Sequence, residues 1–153
     1  MTLFDKRLPT AFFTGWGQPW AAFSLCVAVA VSPAASAQEL KVGRGQQLYQ
    51  QHCASCHGAD LGGQPDWREQ KPDGTYPAPP HSAKGHTWHH SEAVLYDYVA
   101  RGGQAVLDSQ GITFRSGMPA FNDVLTPQDI NSILAFIKST WPPRIQAAQE
   151  KVP

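Results

Sequence analysis

Cys53, Cys56 and His57 fall within one pentapeptide, Cys53-Ala54-Ser55-Cys56-His57, and offer two thiols and an imidazole at fixed spacing. On a helical turn, positions i, i+3 and i+4 share a face. All three side chains can therefore act on one object. The pattern is C-x-x-C-H, the attachment signature of a c-type haem: the sulfurs form thioethers with the haem vinyl groups while the imidazole reaches the iron. Other uses of these residues fit less well. A structural zinc site takes four Cys or His ligands, often as separated pairs. The remaining cysteine, Cys26, lies in a segment that looks removable. His86, His89 and His90 could in principle complete such a site with the two thiolates. A thioredoxin-like C-x-x-C needs a βαβ setting, and no run of strands is visible.

An iron held by His57 has a second face, which takes another ligand or stays open. Apart from Met1, the chain has one methionine, Met118, in the Gly/Pro-rich segment Ser116-Gly117-Met118-Pro119-Ala120-Phe121. A lone methionine is ordinarily packing material. Beside a haem it becomes the leading candidate for the second axial ligand, and Met/His ligation raises the reduction potential as an electron carrier requires. His81, His86, His89 and His90 could instead give a bis-histidine iron. His52, adjacent to Cys53, is poorly placed for the opposite face. An open, five-coordinate iron is the third alternative.

These groups need elements to carry them. Gly43 to His57 is expected to be a helix with Leu48 and Tyr49 as its apolar contacts. Gly45 would allow another helix to approach closely. Gly58 to Lys84 carries many Gly, Pro and Asp residues and reads as loop, with Trp67 and Tyr76 as its anchors on the core or the haem. Ser91 to Arg101 is a helix with Ser91 as N-cap, a stripe of Val94, Leu95, Tyr98 and Val99, and Gly102-Gly103 closing it. A second loop follows to Leu125. The last helix is capped by Thr126, with Pro127 at its first position and Asp129 favouring its positive end. Ile130, Ile133, Leu134 and Ile137 repeat along it with helical period. Trp141-Pro142-Pro143 stops it, and the polar tail from about residue 144 is expected to be loosely held.

The first residues resemble an export signal. Lys6 and Arg7 precede the apolar run Ala21 to Val31, and Ala35-Ser36-Ala37 supplies the small-residue cleavage pattern. Residues 1–37 are thus expected to be removed, leaving residues 38–153 as one small domain in the periplasm. An uncleaved membrane anchor is the alternative, although the apolar run is short for a span of about 20 residues. The full chain has 12 basic and 12 acidic residues. That balance excludes the basic face of a nucleic-acid binder and argues against strong steering towards a highly charged partner. With 13 prolines and 13 glycines the fold should be rich in loops, and much of its core would come from burying the porphyrin.

Taken together, Gly45 and Tyr49, Cys53-x-x-Cys56-His57-Gly58, a proline-containing loop, Met118-Pro119 and Ala135-Phe136-Ile137-Lys138 resemble a class I cytochrome c of the bacterial exported kind. The resemblance covers about Gly43 to Trp141. It implies a small all-α fold wrapped around one covalent haem c, with first and last helices crossing where Gly45 and Tyr49 meet Ile133, Phe136 and Ile137. It further implies that His57 donates its other ring N–H to the carbonyl of Pro79 or Pro80. In the family a leucine often follows that proline; here His81 stands there. Pro80, Trp88 and Phe121 are the candidate haem contacts.

The resulting expectation is single-electron transfer between redox proteins in a respiratory chain, with no small-molecule substrate and no catalysis. A haem subunit of an oxidase or dehydrogenase complex, with possible association with the membrane complex, is the alternative. A sensor or enzyme with an exchangeable sixth ligand ranks below both. The segment His86-Thr87-Trp88-His89-His90 admits a second metal site or a docking patch, but reads first as a solvated loop with Trp88 buried.

Overall fold

The structure, a computed structural model, describes residues 33–153, so the basic end and apolar run of the expected export segment lie outside the described residues. Among the described residues, six helices and one 3-10 turn make up the regular structure: α1 (Pro33–His52), α2 (Ala54–His57), the 3-10 turn (Thr87–His89), α3 (Glu92–Arg101), α4 (Gly103–Ser109), α5 (Pro127–Ser139) and α6 (Pro143–Gln149). No strand forms among the described residues; Thr75 and Arg115 make one isolated parallel bridge. The fold is all-α.

α1 begins ten residues earlier than Gly43. Pro33 suits a first helical position, and the following alanines, Gln38, Glu39 and Leu40 are good helix formers. This extension is largely exposed. The buried part comprises Gly45, Leu48 and Tyr49, and it crosses α5. At that crossing a Cβ on Gly45 would collide with the Ser132 carbonyl oxygen. The Tyr49 ring lies 5.4 Å from that of Phe136, as the expected helix crossing requires. Arg44 closes the contact by pairing with Asp129 at 2.9 Å.

α5 starts with a capping box. Asp129 N–H donates to Thr126 Oγ1 at 3.2 Å, and Thr126 N–H donates to the Asp129 carboxylate at 3.3 Å. Ile130, Ile133, Leu134 and Ile137 are all buried, each contributing roughly 1.5–3 kcal/mol relative to exposure. α3 contributes Leu95 and Val99 to the same core. Ser91 occupies its N-cap position with extended backbone, but its hydroxyl makes no capping bond.

Three expectations need correction. The segment after Gly102 is not all loop: α4 occupies Gly103–Ser109 and buries Val106 and Leu107. The tail from residue 144 is not loose. α6 buries Ile145 and Gln149, and Gln149 Nε2 donates to the His90 carbonyl at 3.3 Å. Tyr76 is not a core anchor; it is exposed and pairs edge-on with the equally exposed Phe114, ring centroids 5.1 Å apart. The apolar side chains in α6 are too few to announce a helix by period, so their burial depends on a surface built by distant residues.

Candidate haem site

Cys53 to His57 forms one helical turn. His57 N–H donates to the Cys53 carbonyl at 2.9 Å and Cys56 N–H to the same oxygen at 3.1 Å, while Cys53 N–H continues α1 by donating to Tyr49 O. Both thiols are unpaired, Cys53 partly buried and Cys56 exposed. Burial, then the neighbouring Cys56, pushes the Cys53 thiol up to about 11. Tyr49 holds the end of the turn: its hydroxyl donates to the Gly58 carbonyl at 2.9 Å.

His57 is buried, and its Nδ1 lies 2.8 Å from the Pro79 carbonyl oxygen. Of the two prolines considered, Pro79 is the partner. With Nδ1–H donating there, Nε2 is the nitrogen left for a metal. Burial lowers the His57 pKa, with the Pro79 bond opposing it, so the imidazole favours its neutral, ligating form. The loop that brings Pro79 in is clamped at its neck. Gln64 N–H donates to Ala78 O at 2.9 Å, and Ala78 N–H donates to Gln64 Oε1 at 2.9 Å. Across the other side, the His81 ring stacks on His57 with centroids 4.0 Å apart and planes 22° from parallel.

Met118 is partly buried against the core, as are Cys53, Trp88 and Phe121. Its segment is fixed from both flanks. Gly103 N–H donates to Met118 O at 3.0 Å, Met118 N–H to Ser116 Oγ at 3.2 Å, and Phe121 N–H to Val99 O at 3.0 Å. The Phe121 ring meets His52 edge-on at 6.2 Å. The Met118–Phe121 segment thus lies beside the turn that begins at Cys53. The two unpaired thiols, an imidazole with one nitrogen free and an aliphatic and aromatic core alongside suit a covalently attached porphyrin.

The family model of cytochrome c matches residues 42–141. The chain belongs to the cytochrome c family. Comparison with the curated proteins and with the solved structures finds no match. Membership supports haem-based electron transfer, with a covalently bound haem c and with redox proteins as partners, and members of the cytochrome c family are generally carriers rather than enzymes.

Within this cytochrome c domain the histidine-rich segment does not converge. His86 stacks on Trp67, centroids 5.2 Å apart, and His89 stacks on Trp88 at 3.6 Å. His90 meets His86 edge-on at 5.4 Å. Among the described residues no three His, Cys, Asp or Glu side chains gather as a metal site would need. Trp88 donates its indole N–H to Gly85 O at 3.1 Å, Pro80 is buried, and Trp67 is partly buried beneath the Arg68 guanidinium.

Two features of the site exceed the expectations drawn from sequence. Gly102-Gly103 does more than stop a helix: it is the seat of the Met118 segment. Gly102 has φ +81°, and a Cβ there would lie 2.8 Å from Ala120 N and 3.1 Å from Met118 O. The adjacent glycine pair was the available signal. The His81–His57 stack had a weaker one, the imidazole standing where the family often has leucine.

Proposed function

We propose that this cytochrome c carries single electrons between redox proteins outside the cytoplasmic membrane, on one haem c. The observation that carries the reading is the Cys53–His57 turn, with Nδ1 of His57 committed to Pro79 and its other nitrogen free. In this reading Cys53 and Cys56 are the thioether anchors, and His57 and Met118 hold the iron from either side. Bound haem c supplies a one-electron iron couple.

The chain's part is to hold that couple still and dry. Two thioether tethers and the Pro79 bond fix the His57 side. The bonds from Gly103, Ser116 and Val99 to the Met118–Phe121 segment fix the other. The core of Leu48, Leu95, Val99, Leu134 and Ile137 excludes water, and Phe121 and Trp88 pack against it, which suits them as haem contacts. If His57 and Met118 both held the haem iron, no iron position would be left for a substrate, which favours a carrier over an enzyme. Its near-neutral charge favours weak apolar docking with fast release. The export-like first residues support a periplasmic location.

Absorption spectra of the purified protein test this directly. The expected result is a sharp low-spin ferrous spectrum, a weak far-red sulfur-to-iron band in the ferric state, and no response to carbon monoxide. Low-spin iron without the far-red band would move the second ligand to a histidine. A high-spin spectrum that shifts with carbon monoxide would replace the carrier by an enzyme or sensor.

A further inference from the structure

We propose that His81 is a positioning residue whose imidazole, stacked on that of His57, sets the plane in which His57 faces the iron. The inference rests on the reading of His57 as an iron ligand. A histidine χ2 is a broad, roughly two-fold torsion. The Pro79 carbonyl fixes where Nδ1 sits, at 2.8 Å, but one hydrogen bond leaves the ring free to rock about that bond. A flat partner 4.0 Å away and 22° from parallel removes this freedom. A leucine would fill the volume without presenting a plane.

For this to work, His81 must itself be held, and it is held on every side that matters. Its ring Nδ1 lies 2.9 Å from Oγ1 of the buried Thr87. Thr87 Oγ1 in turn donates to the Pro80 carbonyl at 3.4 Å. With that hydroxyl proton so directed, His81 Nδ1–H is the donor to Thr87, which selects one tautomer. The backbone is pinned as well. His81 N–H donates to Leu61 O at 2.9 Å, and its carbonyl accepts the indole N–H of buried Trp141 at 2.8 Å. The Tyr49 ring meets it in a T-shaped arrangement, centroids 6.2 Å apart. Trp141 is sixty positions further along the chain, so the end of the fold anchors the ring that steadies the proposed iron ligand. Groups beyond the ligand that orient it are a recognised means of tuning a metal centre.

The test uses haem-loaded protein carrying H81L, H81F or T87V, examined by proton NMR of the ferric haem methyl groups and by redox titration. Leucine is expected to change the order and spread of the methyl resonances and to shift the reduction potential, with far-ultraviolet circular dichroism unchanged. Phenylalanine, which keeps a flat face, should restore the pattern towards that of the unsubstituted protein. T87V leaves the His81 ring in place but loosens it, and should move the resonances in the same sense as leucine; it decides the matter if H81L does not fold. Methyl patterns of H81L and T87V superimposable on the unsubstituted protein would overturn the inference while leaving His57 ligation intact. Absence from the unsubstituted protein of the strongly shifted ring-proton signals of an iron-bound imidazole would overturn the reading of His57, and the inference with it.

Discussion

Gly45 of α1 lies against the backbone of Ser132 on α5 so closely that a Cβ would strike the Ser132 carbonyl oxygen and come within 3.0 Å of the Phe136 Cβ. The obstacle is helix backbone, which cannot step aside as a side chain can. Gly45→Ala is therefore expected to destabilise the haem-loaded protein by about 1–3 kcal/mol, the usual range for overpacking, despite alanine's better helix propensity. Urea denaturation checks it. Unchanged or increased stability would mean that the helices do not cross at this point.

Tyr49 is fully buried, and its hydroxyl donates to the Gly58 carbonyl directly after the attachment turn. Tyr49→Phe keeps the ring against Phe136 and removes only that bond. The expected loss is about 1–2 kcal/mol, because the carbonyl is left without its partner. The absorption spectrum should be retained, which separates this structural role from one in iron ligation.

Gly102 combines a positive φ with a close approach to the backbone of residues 118–120. Gly102→Ala should push that segment outward. The ferric far-red band of the haem-loaded protein is expected to weaken and to disappear on warming before the helices unfold. A band as thermally stable as in the unsubstituted protein would show that the segment does not depend on this seat.

Met118→Ala removes the proposed second ligand outright. The loaded variant should lose the far-red band and take up carbon monoxide and imidazole, both of which the unsubstituted protein is expected to exclude. Stability should fall by about 2–5 kcal/mol if the side chain is also packing against the core. Retention of the band would assign it to another residue.

Burial is the first cause lowering the pKa of His81, His86 and His90 below the ordinary value of 6.5. The unfolded chain therefore binds more protons than the folded one between the folded values and 6.5. Their contribution to stability is complete above about pH 6.5 and is lost as pH falls through the folded values. A further loss is expected below pH 3.8. There Asp73, held down first by its hydrogen bonds from Thr75, and Asp129, held by those from Thr126 and Arg44, become protonated. Urea midpoints of the loaded protein measured from pH 8 to pH 5 should decline on the acid side. A flat profile would mean that folding does not lower the pKa of these imidazoles.

Much of this molecule was legible from neighbouring residues. The C-x-x-C-H spacing defines a turn, Thr126-Pro127-x-Asp129 starts α5, and Ile130, Ile133, Leu134 and Ile137 mark its buried face, because helix period and capping act over three or four residues. Gly45 announced a close approach, whereas the proline carbonyl behind His57 was implied by the family resemblance alone. What escaped had distant causes. α6 is helical because Ile145 and Gln149 find a surface that includes the His90 carbonyl. Residues 103–109 fold as α4 on the far side of a glycine that had looked like a plain stop.

The sequence by itself determined the chemistry: two thiols and an imidazole on one turn, one methionine in a Gly/Pro segment, and helices able to carry them. Only the tertiary structure decided that Pro79 rather than Pro80 faces His57, that His86 stacks on Trp67 while His89 stacks on Trp88, and that His81 lies flat on His57. The physical reason is that a carbonyl direction or a ring plane is set by the path of the whole chain. The Gln64–Ala78 clamp and the Trp141 indole, far apart in sequence, meet around one loop and leave its groups a single orientation.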